Sequence, residues 1–351
     1  MKSVVESLDV KRQSISNLLK AMSKTAYQGR TLGRAIDIVE DMIRDESVTI
    51  MFGYAGSLST AGQWKIIKWF IEQGYVDVLV STGANISEDI VEAMGFNYYH
   101  LEGQHAGSTD AQLFEQGYNR YYDIVGKESD YLEMTNQICE FMMELKENYN
   151  YSSRELLESF GRWLARRGID CIVSVAAMQN VPVYCPAIVD SPYGDAALIA
   201  RSKGHNITID NVKDYVEFTR LAEKIEDTGV IFIGGGVPKD FIQLFAAAAD
   251  LLYESREVPG KEDKRLRRKG TNESYYPHKY AVQITMDSPQ WGGLSGATLE
   301  EAISWGKESA ESRMTTCYCD ATIALPLIAY ALAERLEGYE RKRPTASLTS
   351  D

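Results

Sequence analysis

The sequence has little of what secretion, membrane insertion or nucleic-acid binding requires. Its five cysteines (Cys139, Cys171, Cys185, Cys317 and Cys319) are odd in number and scattered, which argues against a disulfide framework and predicts reduced thiols. Cys317 and Cys319 form a C-x-C pair with no second pair beside it. His100 and His105 flank Glu102 at a spacing that fits no metal motif, so no metal site is expected. No apolar run approaches the roughly 18 to 20 residues that span a bilayer, and Met1-Lys-Ser-Val-Val-Glu6 lacks a signal peptide's apolar stretch. A cytoplasmic location without membrane contact is the expectation. Basic residues are also in deficit: 37 Lys and Arg against 50 Asp and Glu leave a net charge of −13. This disfavours nucleic acid, because phosphate binding needs a concentrated basic face. The one basic cluster, Lys261 to Lys269, reads as a solvated loop. An acidic chain does concentrate cationic ligands around itself.

What is present is enough apolar residue, 44% of 351, to build one large core. Leu32, Ile36, Val39 and Ile43 follow helical spacing and lead into the apolar run Val48 to Phe52. Helical Trp64 to Gln73, apolar Val76 to Val80 and helical Glu88 to Met94 repeat the pattern. Val181 to Cys185, the helix Val212 to Ile225 and Val230 to Ile233 continue it, and Tyr280 to Thr285 and Thr315 to Cys319 add two strands. This alternation predicts an α/β fold: a Rossmann-like parallel sheet with helices on both faces, in a single large domain over residues 1–341. Residues 253–279, charged and broken by Pro259 and Gly260, read as an exposed insertion, and 342–351 as a frayed polar tail. Loops after the strands (Gly53 to Thr60, Ser81 to Asn85, Asp190 to Asp195, Gly234 to Pro238, Asp287 to Gly296, and Asp320) gather at one sheet edge, where parallel sheets bind ligands.

Within Glu301-Ala-Ile-Ser-Trp-Gly-Lys307 a lysine, a tryptophan and a carboxylate share what reads as one helical segment, opened by the capping pattern Thr298-Leu-Glu-Glu301. Trp305 and Gly306 are poor choices for an exposed helix middle, which sets Lys307 apart from an ordinary solvated lysine. A lysine acts as a nucleophile near neutral pH only as the neutral amine, so such a site must be partly dehydrated. An indole face attracts ammonium groups. Gly234-Gly-Gly236 follows an apolar strand and precedes a helix, so it is either a tight turn or a place where amides meet phosphate oxygens. Asp320 is either a helix cap or a ligand contact.

These segments, with Gly53-Tyr54, Val78 to Thr82, Pro186 to Asp190, Gly194-Asp195 and Cys319-Asp320-Ala321, resemble the deoxyhypusine synthase family from about Val48 to Tyr330. The resemblance implies an NAD-dependent transfer of an aminobutyl group from spermidine through an imine on Lys307. It implies Ser57, Thr60, Thr82, Glu88, Asp190, Gly235, Asp320 and Ala321 around NAD. Asp195, Asp240, Glu301 and Trp305 would meet the amine, and the assembly would be a homotetramer with shared sites. The acceptor stays open between a protein lysine and a small amine such as putrescine, as in a homospermidine synthase. A hydrolase acting on a guanidino compound such as agmatine is a further alternative. The chain departs from the family at Asp240, where a substrate-binding histidine is expected, at Leu294, where an aspartate is expected, and at Gly56, which replaces a serine.

Overall fold

A computed structural model describes residues 4–252, 255–258, 261–266, 276–344 and 348. Its internal contacts divide the chain into two compact units. The first comprises Met1–Ala55, Phe70–Val80 and Tyr215–Asp351, and the second Gly56–Trp69 and Ser81–Asp214.

The first unit is built on five strands, β1 (Val48–Tyr54), β2 (Val78–Ser81), β3 (Asp227–Ile233), β4 (His278–Thr285) and β5 (Glu308–Tyr318), in the order β5-β4-β3-β1-β2. The pairs β1–β3, β3–β4 and β4–β5 are parallel. Every residue of β1 is buried, as expected of a strand covered on both faces. Four helices matter here: α1 (Tyr27–Arg44), α2 (Gly236–Leu252), α3 (Leu299–Ile303) and α4 (Ala321–Arg335). Leu32, Ile36, Val39 and Ile43 do form the buried stripe of α1. It packs tightly enough that a Cβ on Gly229 of β3 would lie 2.5 Å from Met42 Cγ. Because β1 is flanked by β2 on one side and β3 on the other, the strand order reverses between β1 and β3. Open α/β sheets bind ligands at that switch point, beyond the carboxyl ends of the strands.

The second unit is mainly helical, with helices Asn85–Ala93, Glu128–Glu144, Ser153–Arg166, Ile172–Met178 and Pro192–Ser202. Phe141, Phe160, Trp163 and Tyr193 form its aromatic core, with ring centroids 5.0 to 5.9 Å apart. A capping box between Ser152 and Glu155 starts the helix Ser153–Arg166. A small antiparallel sheet joins Tyr99–His100, Ile124–Lys127 and Tyr118–Tyr121, with Ile124–Lys127 in the middle.

Two expectations change. β5 begins at Glu308 rather than Thr315, because its first half, Glu-Ser-Ala-Glu-Ser-Arg, is polar and carries no strand signal. Much of the expected insertion over 253–279 lies outside the described residues. Its far end is not exposed, since Tyr276 and His278 are buried and His278 opens β4. The chain is also firmly anchored at Arg341, whose guanidinium donates to the carbonyls of Gly74 and Val48 and to both oxygens of Asp77. Among the described residues no helix is long and apolar enough to cross a membrane.

Arg341 and Asp77 are almost completely buried, and removing Asp77 leaves the Arg341 guanidinium without its carboxylate. Asp77→Ala is expected to lower the unfolding free energy by about 3 to 5 kcal/mol. Urea denaturation measures it, and a loss below about 1 kcal/mol would mean that the pair does not anchor the segment.

Candidate active site

In the first unit the site begins at the carboxyl end of β3. Gly234 (φ 71°) and Gly236 (φ 59°) take left-handed conformations that favour glycine. A Cβ on Gly235 would lie 2.5 Å from Ser295 Cα, so each of the three positions excludes a side chain for its own reason. The Gly234 N–H donates to Ile284 O and the Gly236 N–H to Ser295 Oγ, so two of the three amides already have acceptors within the fold. The turn delivers the chain into α2, whose first two turns carry Lys239, Asp240 and Gln243.

Lys307 is not helical. α3 stops at Ile303, and the Gly306 and Lys307 amides donate back to Ile303 O and Ala302 O, the paired bonds of a glycine-terminated helix end. Gly306, with φ 72°, is the residue that makes this stop possible. Lys307 therefore lies in a bend immediately before β5, with its backbone O accepting from His278 N. Its Nζ sits 3.3 Å from Asp240 Oδ1 and 5.6 Å from the centre of the Trp305 ring. Trp305 is itself 67% exposed. Only half of the expected capping box forms: Thr298 Oγ1 accepts from Glu301 N, and the exposed Glu301 carboxylate is left to other uses.

Beneath Lys307 lies a buried polar layer. Gln243 donates to Glu308 Oε1 at 2.7 Å. Desolvation raises the Glu308 carboxyl to about 7, the nearby Lys239 and Lys307 charges only partly opposing it. Desolvation likewise lowers Lys239 to about 8. His278, paired with Thr228 Oγ1 at 2.7 Å, is held near 3 by burial and stays neutral. Asp320 caps α4, accepting from the Thr322 amide and hydroxyl, which lowers its carboxyl; Ala321 opens that helix. Lys307 and Asp320 thus sit at opposite ends of β5.

In the second unit Ser57, Thr60 and Thr82 are drawn together around a residue that sequence reasoning passed over. Asn85 Oδ1 accepts from the Leu58 amide, its Nδ2 donates to Thr82 Oγ1, and its backbone O accepts from Ser59 Oγ. Ser57 and Thr60 share a 2.6 Å hydrogen bond. Gly56 adopts φ 99°, which accounts for glycine where the resemblance expects serine. Asp190 is exposed in the turn before the helix Pro192–Ser202, and Asp195 lies in that helix's first turn, where Tyr131 donates to it at 3.3 Å. Glu88 is buried, and its Oε2 has no hydrogen-bond partner among the described residues. Of the residues that sequence analysis missed, Gln243, Asn85 and Tyr131 lie in helical runs and gave no motif. Only the lysine beside Asp240 carried a visible charge.

Burial, reinforced by its neighbour Asp89, raises Glu88 to about 7, and burial raises Asp89 to about 7 as well. A carboxyl raised in the folded state contributes stability that is complete below its ordinary value and is lost as pH rises through about 7. The melting temperature is therefore expected to fall between pH 5 and pH 8, and Glu88→Gln should reduce that fall. Equal pH dependence in both proteins would contradict the burial of an ionisable Glu88.

A family model for deoxyhypusine synthase matches residues 17–332. The chain is 40% identical to a Methanosarcina mazei protein named "Probable deoxyhypusine synthase 2", covering 97% of this chain and 92% of that one. An Archaeoglobus fulgidus protein of the same name is 41% identical over 89% of this chain and 95% of its own. A "Deoxyhypusine synthase-like protein" from Chlorobaculum parvum is 34% identical, over 95% and 91%. A crystal structure from Entamoeba histolytica, assigned to deoxyhypusine synthase, superposes with a TM-score of 0.59 at 16% identity, covering 93% of this chain and 95% of that one, a likeness of fold.

Proposed function

The chain belongs to the deoxyhypusine synthase family, a family of aminobutyl-group transferases, and from that membership we propose an NAD-dependent transfer from spermidine to an acceptor amine through an imine on Lys307. The observation that carries this reading is the arrangement at Lys307: a primary amine with one carboxylate at 3.3 Å, an exposed indole beside it and buried ionisable groups beneath. Trp305 offers its face to the methylenes and ammonium groups of a linear amine. Asp240 and Glu301 supply carboxylates for the charged nitrogens. Within the second unit, Tyr131 donates to Asp195 and orients its carboxylate.

Each unit, taken by itself, carries residues that fit part of a dinucleotide. The glycine turn lies at the topological switch point, and with the Gly234 and Gly236 amides engaged within the fold, the start of α2 is the part of it that a pyrophosphate would meet. In the second unit Asn85 holds the Thr82 hydroxyl, Ser57 and Thr60 pair their hydroxyls, Glu88 offers a buried carboxyl oxygen without a partner among the described residues, and Asp190 lies exposed for a further contact. Bound NAD would supply the hydride acceptor and donor. The protein's part is to hold the amine, to keep water from the imine, and to present the Lys307 Nζ to the carbon it captures.

Separation of Lys307 from Asp320 along β5 favours an assembly in which one copy's Asp320 and Ala321 serve the nucleotide of another. Met286, Trp291, Tyr318, Ile323 and Tyr330 are exposed apolar side chains on the segments that follow β4 and β5. We read them as the interface of a homotetramer, and light scattering at micromolar concentration tests it. A monomer would remove the case for shared sites.

Borohydride added to protein with NAD and spermidine should fix an adduct at Lys307. Lys307→Arg should abolish it while NAD still binds, since arginine keeps the charge but supplies no neutral amine. An adduct that persists in the variant would refute the covalent route. Asp240→Asn is expected to weaken amine binding about tenfold or more, with NAD affinity little changed. Calorimetry of both ligands reads this, and unchanged amine affinity would confine Asp240 to pairing with Lys307. Resolving the amine products with and without putrescine identifies the acceptor class.

A further inference from the structure

Lys239 is 4% exposed and belongs to no motif, yet it lies at the seam between two loops. Its Nζ donates to Gln283 Oε1 at 3.1 Å and to the carbonyl of Ala297. Gln283 is fully buried, and its amide nitrogen donates to Gly234 O at 2.9 Å and Ser295 O at 2.8 Å. Ser295 Oγ closes the ring by accepting the Gly236 amide at 3.0 Å. One ammonium thus fastens, through one glutamine, the glycine turn and the 294–297 loop that faces it.

Hydrogen bonding alone does not explain a lysine here, because both of its acceptors are neutral and a buried ammonium is costly. We propose that Lys239 is a positioning residue for the anionic part of the nucleotide: it fixes the two facing loops and sets a positive charge beneath the amino end of α2, where that group is received. The idea rests on the NAD reading for its ligand, but not for the loop geometry. The charged groups around Lys239 are Asp240 on its own helix, Glu301 on α3, Lys307 in the bend and Glu308 on β5. Glu308, Asp240 and Glu301 favour the ammonium, whereas Lys307 and, most of all, burial oppose it, so its charge is lost as pH rises through about 8. A phosphate held partly by that charge must then bind less tightly at pH 9 than at pH 7.

The test uses the full chain with Lys239→Met, Lys239→Gln and Gln283→Leu. Calorimetric titration with NAD at pH 7 should show affinity reduced tenfold or more in both lysine variants. Spermidine capture at Lys307 under saturating NAD should remain. From pH 7 to pH 9 the parent should lose affinity and the lysine variants should not. Hydrogen exchange without ligand should quicken in segments 233–238 and 293–298 of all three variants, and stay unchanged over 48–54. Parental exchange in both segments, or NAD affinity unaltered by Lys239→Met, would overturn the proposal, as would equal damage to both ligands with a general loss of protection. If Lys239→Met does not fold, the glutamine variant decides by the same readings. A parent that binds no NAD would refute the cofactor reading and the anion role together, while exchange still decides whether Lys239 holds the loops.

Discussion

The turn Gly234-Gly235-Gly236 is the constraint on which the rest of the first unit's site depends. Two of its residues need left-handed backbone, and the third has Ser295 where a Cβ would stand. Any side chain there must either strain the turn or push the 294–297 loop away. Because the turn fixes where α2 starts, it also fixes the helix phase. Lys239, Asp240 and Gln243 then fall on one side by the i, i+3 and i+4 rule. Asp240 and Gln243 of that side meet Lys307 and Glu308, and Lys239 turns back toward the glycine turn itself. A change of one residue in the turn's length would rotate the helix by about 100° and separate all three contacts.

Charge at this site is managed by dehydration rather than by simple pairing. Lys239 and Glu308 are of opposite sign and near enough to act on one another, yet desolvation moves each toward its neutral form. The attraction is therefore smaller than the cost of taking both groups from water, the usual outcome for buried ions. Nearby His278, fully buried, is neutral for the same reason. Such a layer leaves few strongly hydrated ions beneath Lys307, and on the proposed reading this would suit chemistry that water quenches.

Much of the fold could be read from residues close in sequence. The apolar stripe of α1, the unbroken run of β1 and the glycine triplet after β3 are local signals, and the structure follows them. The misreading of Lys307 as helical came from a capping pattern at Thr298 that is genuine but starts a helix of only five residues. Gly306 was noticed as unsuited to a helix middle, and it is the residue that ends the helix. What could not be read was the set of partners distant in sequence. Gln283 and Ser295 hold the turn from 49 and 59 residues away, and Arg341 reaches Asp77 across 264. No periodicity records such pairings, because each joins ordinary polar residues that only the fold makes neighbours.

Asp240 stands where the resemblance expects a histidine, and the structure sets it beside Lys307. A histidine at this point could donate or accept according to its surroundings, whereas a carboxylate only accepts hydrogen bonds. The Asp240 Oδ1 lies 3.3 Å from Lys307 Nζ. A carboxylate has lone pairs for more than one donor, and Asp240 is about a third exposed, so one face remains open to an incoming ammonium group. On the proposed reading two cations would share one anion, and the grip on the substrate amine would be tied to the freedom of Lys307. On the same reading Leu294, where the resemblance expects an aspartate, offers no anchor, which would leave Glu301 and the Trp305 face to hold the amine while Asp240 also serves Lys307.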